Sequence, residues 1–136
     1  MNRAELQSFL DHPYNAIVAI NRPGNAPHLT PVWFTWDGAT FRFSTTRDRA
    51  KYANIRRDPQ ISLIVDDVAS HTYVVATGRS TILEANPVAL ARPLLVKHLP
   101  ADKIEGSLGM VTAADRVLVE LRPSKILVNG APLSEG

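Results

Sequence analysis

The sequence predicts a mainly β protein, a small antiparallel β-barrel of six to seven strands with two or three peripheral helices. Six or seven short apolar segments are separated mostly by turn residues and short helices, which is typical of small barrels. The first three segments follow one another directly, whereas a parallel sheet needs a helix after nearly every strand. The 136 residues are therefore expected to form one β-barrel domain, residues 1–136, with a continuous core.

The first two elements are predicted from the spacing of apolar residues. Leu6, Phe9 and Leu10 recur at helical spacing and indicate a short amphipathic helix over residues 3–10. The apolar run at residues 15–21 predicts a buried strand, and the sequence RPGN that follows it is typical of a turn.

A pair of strands joined by a tight turn is predicted next. In a strand over residues 27–36, alternate side chains from Val32 to Trp36 lie on one face, and Trp33 and Thr35 lie on the other. Asp37-Gly38 is typical of a two-residue hairpin turn, so the following TFRFST segment is expected to be the partner strand.

Capping residues and prolines set the expected boundaries of two further helices. Asp48 is expected to cap a helix of about ten residues that ends before Asp58-Pro59. Asn86-Pro87 is expected to supply the cap and first position of a third helix. That helix should continue to about Leu99, and Pro93 should kink or split it.

The remaining strands are predicted from short apolar runs at residues 61–66, 73–83, 116–121 and 125–128. Gly78 is expected to interrupt the longest of them with a bulge or bend. The last eight residues, NGAPLSEG, are expected to form a frayed tail.

Positive charge is concentrated in one part of the chain. The formal net charge is +2, yet residues 42–57 contain six basic side chains and only one acidic side chain, Asp48. A local patch of this kind on an otherwise slightly acidic surface favours a single anionic ligand over a long polyanion. Nucleic-acid binding is not expected, because the sequence has no recognised motif and its aromatic residues are not interleaved with the charge.

The junction between the third strand and the second helix combines several groups that bind phosphate. Ser44, Thr45 and Thr46 supply hydroxyls, and Arg47, Arg49 and Lys51 supply positive charge at the start of the helix. The free N–H groups and positive dipole end of a helix favour anions. A solvated basic helix face is the alternative, and Arg56 and Arg57 fit that alternative because they lie near the helix C-terminus.

Other kinds of chemistry are disfavoured by the sequence. The chain has no cysteine, and its four histidines are scattered without ligand spacing, so no metal site is expected. No nucleophile motif is present. No membrane-spanning stretch or signal peptide is recognisable, so a cytoplasmic protein is expected. Trp33 is a candidate for stacking on a bound ring, with a place in a dimer interface as the alternative.

Two long stretches resemble a known superfamily. PHLTPVWFTWDGATFRFSTTRDRAKYANIRRDPQISLIVDD, followed by YVVATGRSTI, is similar to the flavin/deazaflavin oxidoreductases with the pyridoxamine 5'-phosphate oxidase-like split β-barrel, over roughly residues 6–121. TPVWF, RAK..NIRRDP and VVATGRSTI are most similar to the branch of coenzyme F420-dependent enzymes. The resemblance implies an oxidoreductase that transfers a hydride between reduced deazaflavin and a small organic substrate. The alternatives are an FMN-binding protein and a non-catalytic flavin or haem carrier.

The resemblance also implies a site. Its cofactor phosphate would lie against Ser44, Thr45, Arg49 and Lys51, and the cofactor ring would lie along the Thr30-Pro31-Val32-Trp33 segment. It further implies that Asn54 contacts the cofactor tail or caps an inner carbonyl, and that the protein is a homodimer whose subunits share the site. The residues implied to reach the partner's cofactor are Tyr73, Val75, Met110, Thr112 and Arg116. Oxidation of pyridoxamine phosphate is not expected, because the chain lacks a compact Arg/His motif late in the sequence.

Overall fold

The computed structural model describes residues 1–135 and confirms the mainly β, antiparallel class. The strands are β1 (Ala16–Arg22), β2 (Asn25–Val32), β3 (Thr35–Trp36), β4 (Phe41–Thr46), β5 (Gln60–Asp67), β6 (Thr72–Leu83), β7 (Arg116–Leu121), β8 (Lys125–Val128) and β9 (Ala131–Pro132). The helices are α1 (Arg3–Leu10), α2 (Ala50–Arg57), α3 (Val88–His98) and α4 (Ala101–Val111). Over the described residues there are thus more strands and helices than the sequence predicts.

The strands form an open antiparallel sheet, as in a split barrel. Their order is β2-β1-β5-β6-β7-β4-β3, and β8 and β9 extend from β6. The twelve-residue β6 joins the two halves, because its residues 74–77 pair with β8 and its residues 80–83 pair with β7. The connection between β7 and β8 therefore crosses β6 near its middle.

Gly78 lies at this crossing, and the predicted bulge there is wrong. The pairing of β5 with β6 continues in register through Ile61 and Gly78. A Cβ at position 78 would lie 3.0 Å from the backbone nitrogen of Ser124 and 3.1 Å from the carbonyl oxygen of Arg122. Glycine is needed there because another backbone segment approaches closely.

The core confirms the predicted alternation but divides the predicted 27–36 strand. Val32, Phe34 and Trp36 are buried, whereas Trp33 is 41% exposed. The strand is interrupted after Val32 because β2 pairs with β1, whereas β3 pairs with β4. The chain leaves one half of the barrel and enters the other at Trp33.

Both predicted helix caps are wrong. The N-cap of α2 is Arg49, with no side-chain cap, and the Asp48 carboxylate accepts a hydrogen bond from the Thr46 hydroxyl instead. The N-cap of α3 is Pro87, whose backbone is extended, and the side chain of Asn86 contacts Ser44 instead of the helix start. Pro93 lies within α3 and does not split it.

The sequence prediction also missed α4 and the strand in the C-terminal tail. α4 packs against α3 as the second helix of a hairpin and buries none of its residues, although Ile104, Leu108 and Val111 recur at helical spacing in the sequence. β9 pairs with β8 across the Asn129-Gly130 turn, where both residues have positive φ, a combination typical of tight hairpins. The expectation of a frayed tail is therefore wrong for β9. The last residue of the predicted tail, Gly136, lies outside the described residues. None of the helices in residues 1–135 is long and apolar enough to cross a lipid bilayer.

Candidate functional site

A cavity of about 330 Å³ lies between the barrel and the α3–α4 hairpin. It is large enough for a small ligand or for part of a larger one. Its wall is formed by strands β2, β4 and β7, by Trp33 directly after β2, and by helices α2, α3 and α4. The lining residues are Pro31, Val32, Trp33, Ser44, Lys51, Leu94, Leu95, Leu99, Ser107, Met110, Val111 and Arg116.

One end of the cavity is polar and positively charged. Ser44, Lys51 and Arg116 line it, and burial lowers the pKa of the half-buried Lys51, with further lowering by the charges of Arg49 and Arg116. Within residues 1–135, no acidic side chain forms an ion pair with Lys51, Arg49 or Arg116. Two cations at the cavity wall, Lys51 and Arg116, with the charge of Arg49 nearby, favour the binding of an anion.

Asp48 is the acidic residue whose charge interacts with this group. The hydrogen bond from Thr46 lowers the pKa of Asp48, and the charges of Arg49 and Arg116 lower it further. The carboxylate is therefore ionised near neutral pH, and it offsets part of the positive charge. It does not line the cavity, which leaves Lys51 and Arg116 as the charged groups that do.

The start of α2 adds donors to the same end. No side chain caps this helix, so N–H groups of its first turn remain available to an anion. Lys51 lies in that first turn and lines the cavity. The phosphate-binding junction predicted from the sequence therefore opens onto a cavity in the structure.

The other end of the cavity is apolar and carries a flat aromatic surface. Its lining includes Leu94, Leu95 and Leu99 of the hairpin and Pro31 and Val32 of β2. The indole of Trp33 lines the cavity and stacks on the imidazole of His98, with ring centroids 5.2 Å apart and planes 4° apart. A planar conjugated ligand would find dispersion contacts and a stacking partner there.

His98 is held against the backbone beside this aromatic pair. Its Nε2 lies 3.3 Å from the Phe34 backbone nitrogen and 3.1 Å from the Phe34 carbonyl oxygen. Burial lowers the pKa of His98, and the charge of Lys97 lowers it further, against an opposite effect of the Phe34 backbone. A neutral imidazole therefore backs Trp33 near neutral pH.

Five of the ten predicted cofactor-binding residues line this one cavity. These are Pro31, Val32, Trp33, Ser44 and Lys51. The β-strand alternation turns Thr45 into the barrel, where its Oγ1 is buried without a partner. Arg49 is exposed at the start of α2, and Thr30 and Asn54 are partly buried outside the cavity lining.

Tyr73 lies apart from the cavity on the outer face of the sheet. It is 38% exposed, and its backbone N–H donates to the side-chain Oδ1 of Asn129. Val75, which was implied to reach the same partner site, lies on β6 in cross-strand register with Ile64 and Leu127. Contact of Tyr73 and Val75 with a partner's cofactor stays a prediction.

The other residues implied to reach a partner's cofactor lie near this chain's own cavity. Met110 and Arg116 line it, and the Thr112 hydroxyl donates to the Leu108 carbonyl at the end of α4. Arg47, which flanks the predicted cradle, instead pairs with Glu84 at 3.4 Å.

The sequence prediction missed the part of the site supplied by α3 and by Asn86. Leu94, Leu95 and Leu99 were recognisable only as helix residues, because what they face depends on how the hairpin packs. Asn86 was interpreted as a cap, yet it is 4% exposed and its Nδ2 donates to Ser44 Oγ at 3.1 Å. Among residues 1–135 no cluster of three metal-ligating side chains occurs.

Comparisons with known proteins agree with this fold. The family model described as pyridoxamine 5'-phosphate oxidase matches residues 3–129. No curated protein sequence matches the chain significantly. A solved structure of an F420 reductase is 29% identical, with a TM-score of 0.70 over 89% of this chain and 94% of that chain.

Two further solved structures share the fold at lower identity. A conserved hypothetical protein from Mycobacterium tuberculosis is 24% identical, with a TM-score of 0.80 over 100% of this chain and 92% of that one. General stress protein 26 from Bacillus anthracis is 15% identical, with a TM-score of 0.69 over 93% of this chain and 92% of that one. The family match extends over nearly the whole chain and agrees with the observed open antiparallel sheet. The chain therefore belongs to the pyridoxamine 5'-phosphate oxidase family.

Proposed function

We propose that the protein binds coenzyme F420, with FMN as the alternative, and acts as an oxidoreductase on a small organic substrate. The observation that carries this proposal is the half-buried Lys51 beside Arg49 and Arg116, at the polar end of a cavity with an apolar wall. A phosphate on a planar ring system has the two chemical halves that this cavity accommodates. The 29% identity to an F420 reductase favours the deazaflavin over FMN.

The residues present fit both halves of such a ligand. Lys51 and Arg116 would neutralise the phosphate, and the Ser44 hydroxyl would donate a hydrogen bond to it. Trp33, backed by His98, would contact the ring, and Leu94 and its apolar neighbours would keep water from it.

The chain's contribution to the reaction is positioning and shielding. Within the described residues, the cavity lining includes no aspartate, glutamate or histidine, and its one lysine, Lys51, is assigned to the phosphate. The bound cofactor would supply hydride transfer, and the protein would orient it and exclude water. The same absence fits a non-catalytic carrier, which turnover assays distinguish from an enzyme.

We propose that two copies of the chain associate through the outer face of the sheet. Ile17, Ile64, Val75 and Leu127 occupy paired positions across β1, β5, β6 and β8. Leu29, on the neighbouring strand β2, is 65% exposed. A continuous apolar row of this kind marks an interaction surface, and a symmetric homodimer would cover it in both copies.

The test is a parallel spectral titration with F420, FMN and haem, followed by substrate reduction assays with the cofactor that binds. The proposal expects saturable binding of F420, or of FMN, with micromolar or tighter affinity. Binding of haem alone would favour the carrier instead. Failure of both F420 and FMN to bind would refute the proposed function.

A further inference from the structure

Asn86 connects three segments around the cavity. Its side chain lies on the loop between β6 and α3 and is buried, with 4% of the residue exposed. Its Nδ2 lies 3.1 Å from the Oγ of Ser44 on β4 and 2.6 Å from the carbonyl oxygen of Val111 at the end of α4. Ser44 and Val111 both line the cavity.

The chemistry of these contacts fixes which way the Asn86 amide points. The Val111 carbonyl oxygen can only accept a hydrogen bond, so the atom facing it must be the amide nitrogen. The same nitrogen faces Ser44. Asn86 is therefore the donor, and the Ser44 oxygen is the acceptor.

This assignment determines what Ser44 can offer to a ligand. A serine hydroxyl has one proton to donate and two lone pairs that accept. Because Asn86 fills an acceptor position, the hydroxyl proton remains available. Phosphate oxygens accept hydrogen bonds, so a serine constrained to donate suits a phosphate.

We infer that Asn86 is a positioning residue, which directs the Ser44 hydroxyl so that it donates a hydrogen bond to a phosphate bound beside Lys51 and Arg116. The inference rests on the proposed function. It also explains why an asparagine stands at this position although its Oδ1 is buried without a hydrogen-bond partner, which lowers the stability of the fold. An apolar residue at position 86 would avoid that cost.

The experiment measures the dissociation constants of two matched ligand pairs by calorimetry. The first pair, FMN with riboflavin, differs by the phosphate alone, and the second pair, F420 with its phosphate-free deazaflavin, differs by the phosphate and the tail attached to it. The proteins are the wild type, Ser44→Ala, Asn86→Ala and the double variant, each checked by thermal unfolding. The ratio of the two affinities within the FMN pair separates the contribution of the phosphate from any general loss of structure.

We expect Ser44→Ala to lower this ratio roughly 10- to 150-fold, as for a hydrogen bond to a charged group. Asn86→Ala should lower it roughly 3- to 10-fold, as for a misdirected neutral hydrogen bond. The double variant should match Ser44→Ala within about twofold, since Asn86 acts through Ser44.

Three results would overturn the inference. Additive effects in the double variant would mean that Asn86 acts independently of Ser44. An equal loss of riboflavin and FMN affinity in Asn86→Ala would mean that Asn86 only maintains the fold. An unchanged ratio in Ser44→Ala would refute the inference even if the Asn86 variants do not fold. A wild-type protein that binds neither phosphate-bearing cofactor would instead refute the proposed function together with the inference.

Discussion

Replacing Lys51 by methionine should weaken cofactor binding without destabilising the protein. The ammonium lies at the polar end of the cavity, and burial and two neighbouring cations lower its pKa. A charge-assisted hydrogen bond to phosphate contributes about 1.5–3 kcal/mol, so the dissociation constant should rise roughly 10- to 150-fold. Without ligand, the substitution removes repulsion and retains an apolar stem, so the free energy of unfolding should be equal or higher.

The dissociation constant is measured by calorimetric titration, and variants of two arginines serve as comparisons for Lys51→Met. Arg49 is exposed and outside the cavity lining, so Arg49→Ala should raise the dissociation constant less than about fivefold. Arg57 lies about 9 Å beyond Lys51 along the axis of α2. Its Nη2 donates to the Asn21 carbonyl at 2.7 Å. Arg57→Ala should therefore change the affinity less than about twofold. Equal losses in all three variants would indicate a diffuse electrostatic patch and refute the specific site.

Three further predictions concern stability and assembly. Gly78→Ala should lower the free energy of unfolding by about 1–3 kcal/mol in chemical denaturation, because its Cβ would lie 3.0 Å from the Ser124 backbone nitrogen. Gly106→Ala, in open space on α4, is the control and should raise it by up to about 1 kcal/mol. Burial lowers the pKa of Lys97 from 10.5 to about 8, so the unfolded chain binds this proton more tightly than the folded chain. Between pH 8 and 10.5, the free energy of unfolding of the wild type should therefore rise by about 1–3 kcal/mol more than that of Lys97→Met. This range is reduced to allow for the partial exposure of Lys97. Light scattering should give twice the 14.9 kDa chain mass, and Ile64→Asp should give monomers; a wild-type monomer would refute the proposed interface.

Local patterns predicted the scaffold because each pattern depends on a few neighbouring residues. The alternation of Phe41 and Phe43 with polar residues identified β4, and it determines that Ser44 faces the cavity while Thr45 faces the core. The proposed phosphate site was also predicted from the sequence, because hydroxyls, charges and a helix start occur together there.

What the sequence could not predict depends on contacts between distant segments. The break between β2 and β3 arises from a change of pairing partner, and the need for glycine at position 78 arises from the backbone at residues 122–124. α4, in contrast, could have been predicted, because Ile104, Leu108 and Val111 recur at helical spacing. The role of Asn86 depends on Ser44 and Val111, which are 42 and 25 residues away along the chain.

The most direct test of the proposed site is a crystal structure of the protein with bound F420 or FMN. We predict that the phosphate oxygens lie within about 3 Å of the Lys51 Nζ and the Ser44 Oγ, and that Arg116 contacts the same phosphate. The ring should lie along Pro31 and Val32 beside Trp33. A cofactor whose phosphate lies away from Lys51 and Ser44, or outside this cavity altogether, would contradict the account.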